Sequence, residues 1–205
     1  MLIAAGLSKH FPGKRVIANF HQRWPAAGSY LIAGANGVGK STLLALLAGA
    51  LEPDGGEVWI GGARLSSEAA LAKSRLSYCP ADCPIFPFLD GREWLDFLRS
   101  IRPDWRSQTE RRLLAEFGLH EHLHTRFDHM SLGTARKFML TGTLAADAAL
   151  LLLDEPSNAL DRASLVALQA EIRRRSERCL VLMTCHDSGQ HRDFGIHAEH
   201  CLTLS

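Results

Sequence analysis

The stretch GSYLIAGANGVGKSTLLALL, residues 28–47, decides the fold. Its opening, Gly28–Gly34, is a run of apolar and small residues that predicts a buried strand. Gly39–Leu47 predicts an apolar helix directly after it. The junction, Gly34-Ala-Asn-Gly-Val-Gly39-Lys40-Ser41, fits G-x-x-x-x-G-K-[ST] at every fixed position. Glycines let the backbone wrap a phosphate, and the helix start adds a partial positive charge. Lys40 is placed to meet the β- and γ-phosphates of a nucleotide, and Ser41 to put its hydroxyl on Mg²⁺. Asn36, Gly37, Gly39 and Thr42 complete the predicted cradle. The alternative is a glycine-rich turn that contains Gly-Lys-Ser by chance. The strand before it and the helix after it argue against that.

Further along, the apolar run Ala149–Leu153 has strand length and the character of a strand buried on both faces of a parallel sheet. It ends in Asp154-Glu155-Pro156, which delivers two carboxylates to the carboxyl edge of the sheet, where open α/β sheets bind ligands. Asp154 is the candidate Mg²⁺ holder, and Glu155 the candidate base that polarises a water. A solvated acidic turn is the plain alternative. Around these two segments, Glu57–Ile60, Leu76–Cys79, Leu180–Thr184 and Cys201–Leu204 read as strands, and Asp161–Arg175 as a helix. Strands alternating with helices predict an α/β sheet with right-handed crossovers. Between them, Trp94, Leu95, Phe97, Leu98 and Ile101 recur at helical spacing, as do Leu113, Leu114 and Phe117. Residues 85–140 are therefore expected to form a helical lobe on a single 205-residue domain.

Composition narrows the functional classes. The 23 basic and 22 acidic residues give a net charge of +1, which offers no field for nucleic acid or anionic lipid. No apolar run approaches membrane-spanning length, and Met1–Ala5 has no basic leader. Any membrane association is expected to be peripheral. Five cysteines at irregular spacing fit a reducing cytosol, and Cys79 with Cys83 lacks the second pair that a zinc site needs.

Further motifs, taken in order, resemble the nucleotide-binding domains of the ABC ATPase family over nearly the whole chain. Met130-Ser-Leu-Gly-Thr134 resembles the L-S-G-G-Q signature, with Ser131 and Gly133 kept and Leu132 in place of the first glycine. Ser157-Asn-Ala-Leu-Asp161 resembles the D-loop, His186 the switch histidine, and Phe11 the aromatic residue that stacks on adenine; a core phenylalanine is the competing reading of Phe11. The resemblance implies a P-loop NTPase sheet with flanking helices, a small antiparallel β subdomain and the helical lobe. It also implies ATP and Mg²⁺ as cofactors, with catalytic roles for Glu155, His186 and Lys40. Ser131, Gly133 and Asp161 would act across a dimer interface. The family places a glutamine where this chain has Ala81, which cannot coordinate a metal; Asp82 stands next to it. Pro84-Ile-Phe-Pro-Phe88 resembles the surface that receives a transmembrane partner, with Phe86 and Phe88 as docking residues or, alternatively, core.

The expected function is an ATP-binding and hydrolysing subunit that powers transport through separate transmembrane permease subunits. It would work as a homodimer or heterodimer, at the inner face of the cell membrane, with an export direction favoured by Ser131-Leu132-Gly133 and the Phe-rich segment. A degenerate subunit that binds ATP with little turnover is the alternative, supported by Ala81 and Leu132. Two features are set aside. His120 and His124 would share a helical face as possible metal ligands, but they lie in the lobe, away from the phosphate loop. Arg173-Arg174-Arg175 is explained by a helix C-terminus, where positive charge is favourable.

Overall fold

The computed structural model describes residues 1–185 and 192–204. Its strands are β1 (Leu2–Phe11), β2 (Lys14–Trp24), β3 (Gly28–Ala33), β4 (Gly55–Ile60), β5 (Ala63–Arg64), β6 (Leu76–Cys79), β7 (Leu150–Leu153), β8 (Leu180–Thr184) and β9 (Cys201–Thr203). Its α-helices are α1 (Lys40–Ala48), α2 (Ala69–Ser74), α3 (Gly91–Ile101), α4 (Ser107–Glu116), α5 (Leu132–Ala145) and α6 (Arg162–Ser176).

The apolar runs become a five-stranded sheet in the order β6-β7-β8-β3-β9, with every pairing parallel. Successive side chains of a strand point to opposite faces, and burial on both faces leaves these runs mostly apolar, with Ser29, Ser77 and Thr184 among the polar positions. Leu150, Leu152, Leu180, Leu182 and Ile32 face α1, while Leu151, Leu153, Val181, Met183 and Leu31 face the lobe and α6. Both faces are covered, so both sets must be apolar.

Beyond its opening Lys40-Ser41-Thr42, helix α1 is apolar all round because it lies between two sheets. Leu43, Leu44, Leu46 and Leu47 are fully buried against Ile32, Leu150 and Leu152 on one side, and against Leu7, Ile17, Trp24 and Val58 on the other. The second sheet is antiparallel, in the order β2-β1-β4-β5. Its first two strands do not show in the sequence pattern. Register shifts break β1 between Ala4 and Leu7, and again around Lys9, so its alternation slips. Most of β2 is exposed.

The lobe holds α3, α4 and the start of α5. Helix α3 opens with a reciprocal cap: the Glu93 amide donates to Asp90, and the Asp90 amide donates to Glu93. Helix α5 runs past the expected boundary to Ala145, leaving the lobe to pack on β6. The segment His120–His122 is a single 3₁₀ turn, not an α-helix. Leu119 and Leu123 bury into the core and set its path, so His120 and His124 do not align at α-helical spacing. Arg173–Arg175 do end α6, but Arg175 turns inward and donates to the carbonyls of Ala146 and Ala148 at 3.0 and 2.9 Å. Among the described residues, no helix is long and apolar enough to cross a membrane.

Candidate functional site

The loop between β3 and α1 is shaped by its glycines. Gly39 has φ +112°, and a Cβ there would meet Val16 Cγ1 at 2.7 Å. Only glycine fits both the conformation and the space. Gly39 caps α1 without a side chain, so the first amides of the helix face the loop. Lys40 is 5% exposed and its Nζ donates to the carbonyls of Gly34 and Ala35 at 2.8 and 3.1 Å. The ammonium thus lies across the loop that would hold a phosphate chain. Ser41, the next residue, is exposed.

Strand β7 delivers the acidic pair beside this loop. Asp154 is 1% exposed. Its Oδ1 accepts from Thr184 Oγ1 at 2.5 Å, and the same hydroxyl accepts the Glu155 amide at 2.9 Å. Thr184, at the end of β8, therefore ties both acidic residues to the neighbouring strand. Glu155 has φ +48°, a left-handed conformation that costs a non-glycine residue about 1–3 kcal/mol. Asn158 Nδ2 donates to Glu155 Oε2 at 2.5 Å and holds the carboxylate.

A cavity of about 540 Å³ joins these parts. Phe11, Pro12, Lys14 and Val16 form one wall; Asn36, Gly37, Gly39, Lys40, Ser41 and Thr42 form the floor; Glu155 closes the far side. Phe11 is 43% exposed, which removes the core reading of that residue. Asp154 is buried and does not line the cavity. Lys14 was not singled out from sequence, yet its Nζ donates to the Gly37 carbonyl at 2.9 Å. Only the pairing of β1 with β2 brings it to the loop.

Ser131, Gly133 and Asp161 do not line this cavity. Ser131 caps α5, accepting the Thr134 amide at 3.1 Å. A Cβ on Gly133 would meet the Ala159 carbonyl oxygen at 2.6 Å, so the signature-like turn sits directly on the 157–161 loop. Asp161 caps α6 through the Ser164 amide and pairs with Lys137 at 2.5 Å. These two donors, Lys137 first, hold its carboxyl well below the usual carboxylate range.

Residues 19–158 match the family model described as ABC transporter. The chain belongs to the ABC transporter family. It is 31% identical over 202 residues to the Fe(3+) ions import ATP-binding protein FbpC 2 of Pectobacterium atrosepticum, covering 95% of this chain and 58% of that protein. It is 25% identical over 190 residues to the linearmycin resistance ATP-binding protein LnrL of Bacillus subtilis, covering 91% and 61%. The chain thus spans less than two thirds of the length of these relatives. A solved structure described as the ATP binding subunit of an ABC transporter superposes with a TM-score of 0.82 at 25% identity, covering 94% of this chain and 82% of that one.

The Ala81 departure of this ABC domain now has a geometry. Ala81 is half-buried and contributes only its backbone; Asp82 is exposed and does not line the nucleotide-sized cavity. The Tyr78 hydroxyl is pushed above its usual range by burial, and then by the charges of Asp154 and Asp82. Arg136, which sequence reasoning passed over, is 1% exposed and donates to four backbone carbonyls around the acidic pair. An arginine in the first turns of an otherwise core-facing helix was the available signal. Phe86 and Phe88 are 59% and 60% exposed, which favours the surface reading of both. His186 lies outside the described residues.

Proposed function

We propose that this ABC domain binds Mg²⁺–ATP and hydrolyses it to drive transport through separate transmembrane subunits. The cavity that brings Phe11, the 34–42 loop and Glu155 together carries the reading. Phe11 offers a face for the adenine ring. The loop amides and the start of α1 receive the phosphates, and Lys40 adds a point charge. The Ser41 hydroxyl and the Glu155 carboxylate line the cavity, and the Asp154 carboxylate is buried at the same strand end; these are hard oxygens of the kind Mg²⁺ prefers. Ser41 and Asp154 would hold the ion, which neutralises charge on the phosphates when bound. Glu155, held by Asn158, orients and polarises the attacking water. His186 is assigned a γ-phosphate contact from its position in the sequence.

Ser131 and Gly133 stand outside the cavity, so their assigned contact requires a second ATP-binding domain, identical or homologous. The 157–161 loop lies beneath them and would share that interface. The stacked, exposed pair Phe86 and Phe88, with ring centroids 5.5 Å apart, supplies an apolar surface for a transmembrane subunit and a peripheral place at the membrane. The export direction rests on Ser131-Leu132-Gly133 and this Phe-rich segment.

The test is Mg²⁺-dependent ATP turnover of the wild-type protein beside Lys40→Ala and Glu155→Gln. Expected are loss of tight ATP binding in the first and retained binding without turnover, with a trapped ATP-bound dimer, in the second. Undiminished turnover in Glu155→Gln would remove Glu155 as the base. Tight binding with no turnover in the wild type would favour the low-turnover subunit, for which Ala81 is the supporting observation.

A further inference from the structure

We propose that Arg136 is a positioning residue for hydrolysis, fixing Glu155 and the 80–81 backbone to α5; this rests on the hydrolytic reading above. The guanidinium is buried at 1% exposure, one turn beyond Ser131 on the same helix. Nη1 donates to the Pro80 carbonyl and, at 3.4 Å, to that of Ala81. Nη2 donates to the carbonyls of Asp154 and Glu155 at 2.5 and 3.1 Å. Those four acceptors directly follow β6 and β7, two adjacent parallel strands. At strand ends the sheet no longer supplies donors, and buried carbonyls need partners from elsewhere. A guanidinium is the one side chain with enough donors, in a fixed fork, to serve two strand ends at once.

The next residue extends the clamp. Lys137 Nζ pairs with Asp161 at 2.5 Å. Consecutive basic residues of α5 thus grip the 154–161 segment at both ends, Arg136 at Asp154 and Glu155, Lys137 at Asp161. Ser131, the cap of the same helix, is the residue assigned to a partner domain's nucleotide. A shift of α5 on closure of that interface would reach the Glu155 backbone through one side chain. Glu155 is already in a left-handed conformation, so its carboxylate direction depends on what its backbone is tied to. Ala81 has no side chain that could make this link, and Arg136 ties its carbonyl instead.

The experiment compares wild type, Arg136→Gln and Arg136→Lys. It reads ATP-analogue affinity, kcat and amide hydrogen exchange in residues 80–83, 154–158 and 180–184. Expected for Arg136→Gln is an affinity within about twofold of wild type, so that the loss falls on kcat and not on binding. The kcat loss is expected at about tenfold to a hundredfold, the scale of a small misplacement of a reacting group. Exchange should quicken in 80–83 and 154–158 while 180–184 is unchanged. Arg136→Lys, which keeps the charge but not the fork, should be intermediate, and it carries the test if the glutamine variant does not fold. Unchanged kcat, a parallel fall in affinity, or unchanged exchange in both loops would overturn the assignment. Loss of function in these variants from an active wild type is separate from an inactive wild type, which would overturn the hydrolytic reading itself.

Discussion

Replacing Thr184 with valine removes one hydroxyl and leaves the shape of the side chain almost unchanged. That hydroxyl is fully buried between strand ends, donating to Asp154 Oδ1 at 2.5 Å and accepting the Glu155 amide at 2.9 Å. A hydrogen bond to a charged group contributes about 1.5–3 kcal/mol and a neutral one about 0.5–1.5 kcal/mol. Losing both predicts a destabilisation of about 2–4 kcal/mol. For a chain of this size each kcal/mol lowers the melting midpoint by about 2–4 °C, so the variant should melt about 4–16 °C below wild type. Turnover should also fall at temperatures where both proteins are folded, because the Glu155 amide loses its tie to β8. Thermal unfolding followed by circular dichroism, with ATP turnover measured alongside, is the assay. Thr184→Ser keeps the hydroxyl and should recover most of both losses. A valine variant melting within about 1 °C of wild type would refute the bridge, since the hydrogen bond to the Asp154 carboxylate alone predicts about 3 °C or more.

Gly39→Val should weaken ATP binding by at least about tenfold, because the strain of a left-handed β-branched residue alone costs about 1–3 kcal/mol and Val16 stands in the way; titration with a fluorescent nucleotide checks this. Leu152→Ala, in the layer between β7 and α1, should cost about 3–5 kcal/mol in denaturant unfolding, as a fully buried leucine in a packed core. Asp54 is held at about 2, below its ordinary 3.8, chiefly by Lys9 and then by the His10 amide. Its contribution to stability is therefore complete above pH 3.8 and is lost as pH falls toward 2. Asp54→Asn lacks that contribution, so its unfolding midpoint should differ from wild type near neutrality and converge with it across that window. Parallel curves for the two proteins would show that Lys9 and His10 do not hold the carboxylate.

Much of the candidate site was legible because its chemistry is local. A phosphate loop needs glycines, a lysine and a hydroxyl within eight consecutive residues, so the 34–41 run carries its own evidence. Strand β7 was legible because burial on both faces excludes every polar residue, and its carboxylates follow in the next two positions. The helices α3 and α4 showed in their apolar spacing. The 3₁₀ turn at His120–His122 was not legible, because Leu119 and Leu123, not local propensity, set its path.

The chain's sequence by itself determined the α/β alternation, the phosphate loop, the acidic strand end and the family. Tertiary structure alone decided which distant residues serve those parts. Thr184 reaches Asp154 and Glu155 because β8 pairs with β7, and Lys14 reaches Gly37 because β2 folds back on β1. Arg136 meets the ends of β6 and β7 because α5 leaves the lobe and packs on the sheet. Such contacts are set by strand pairing and helix packing across long sequence separations, and no local pattern of residue types encodes them.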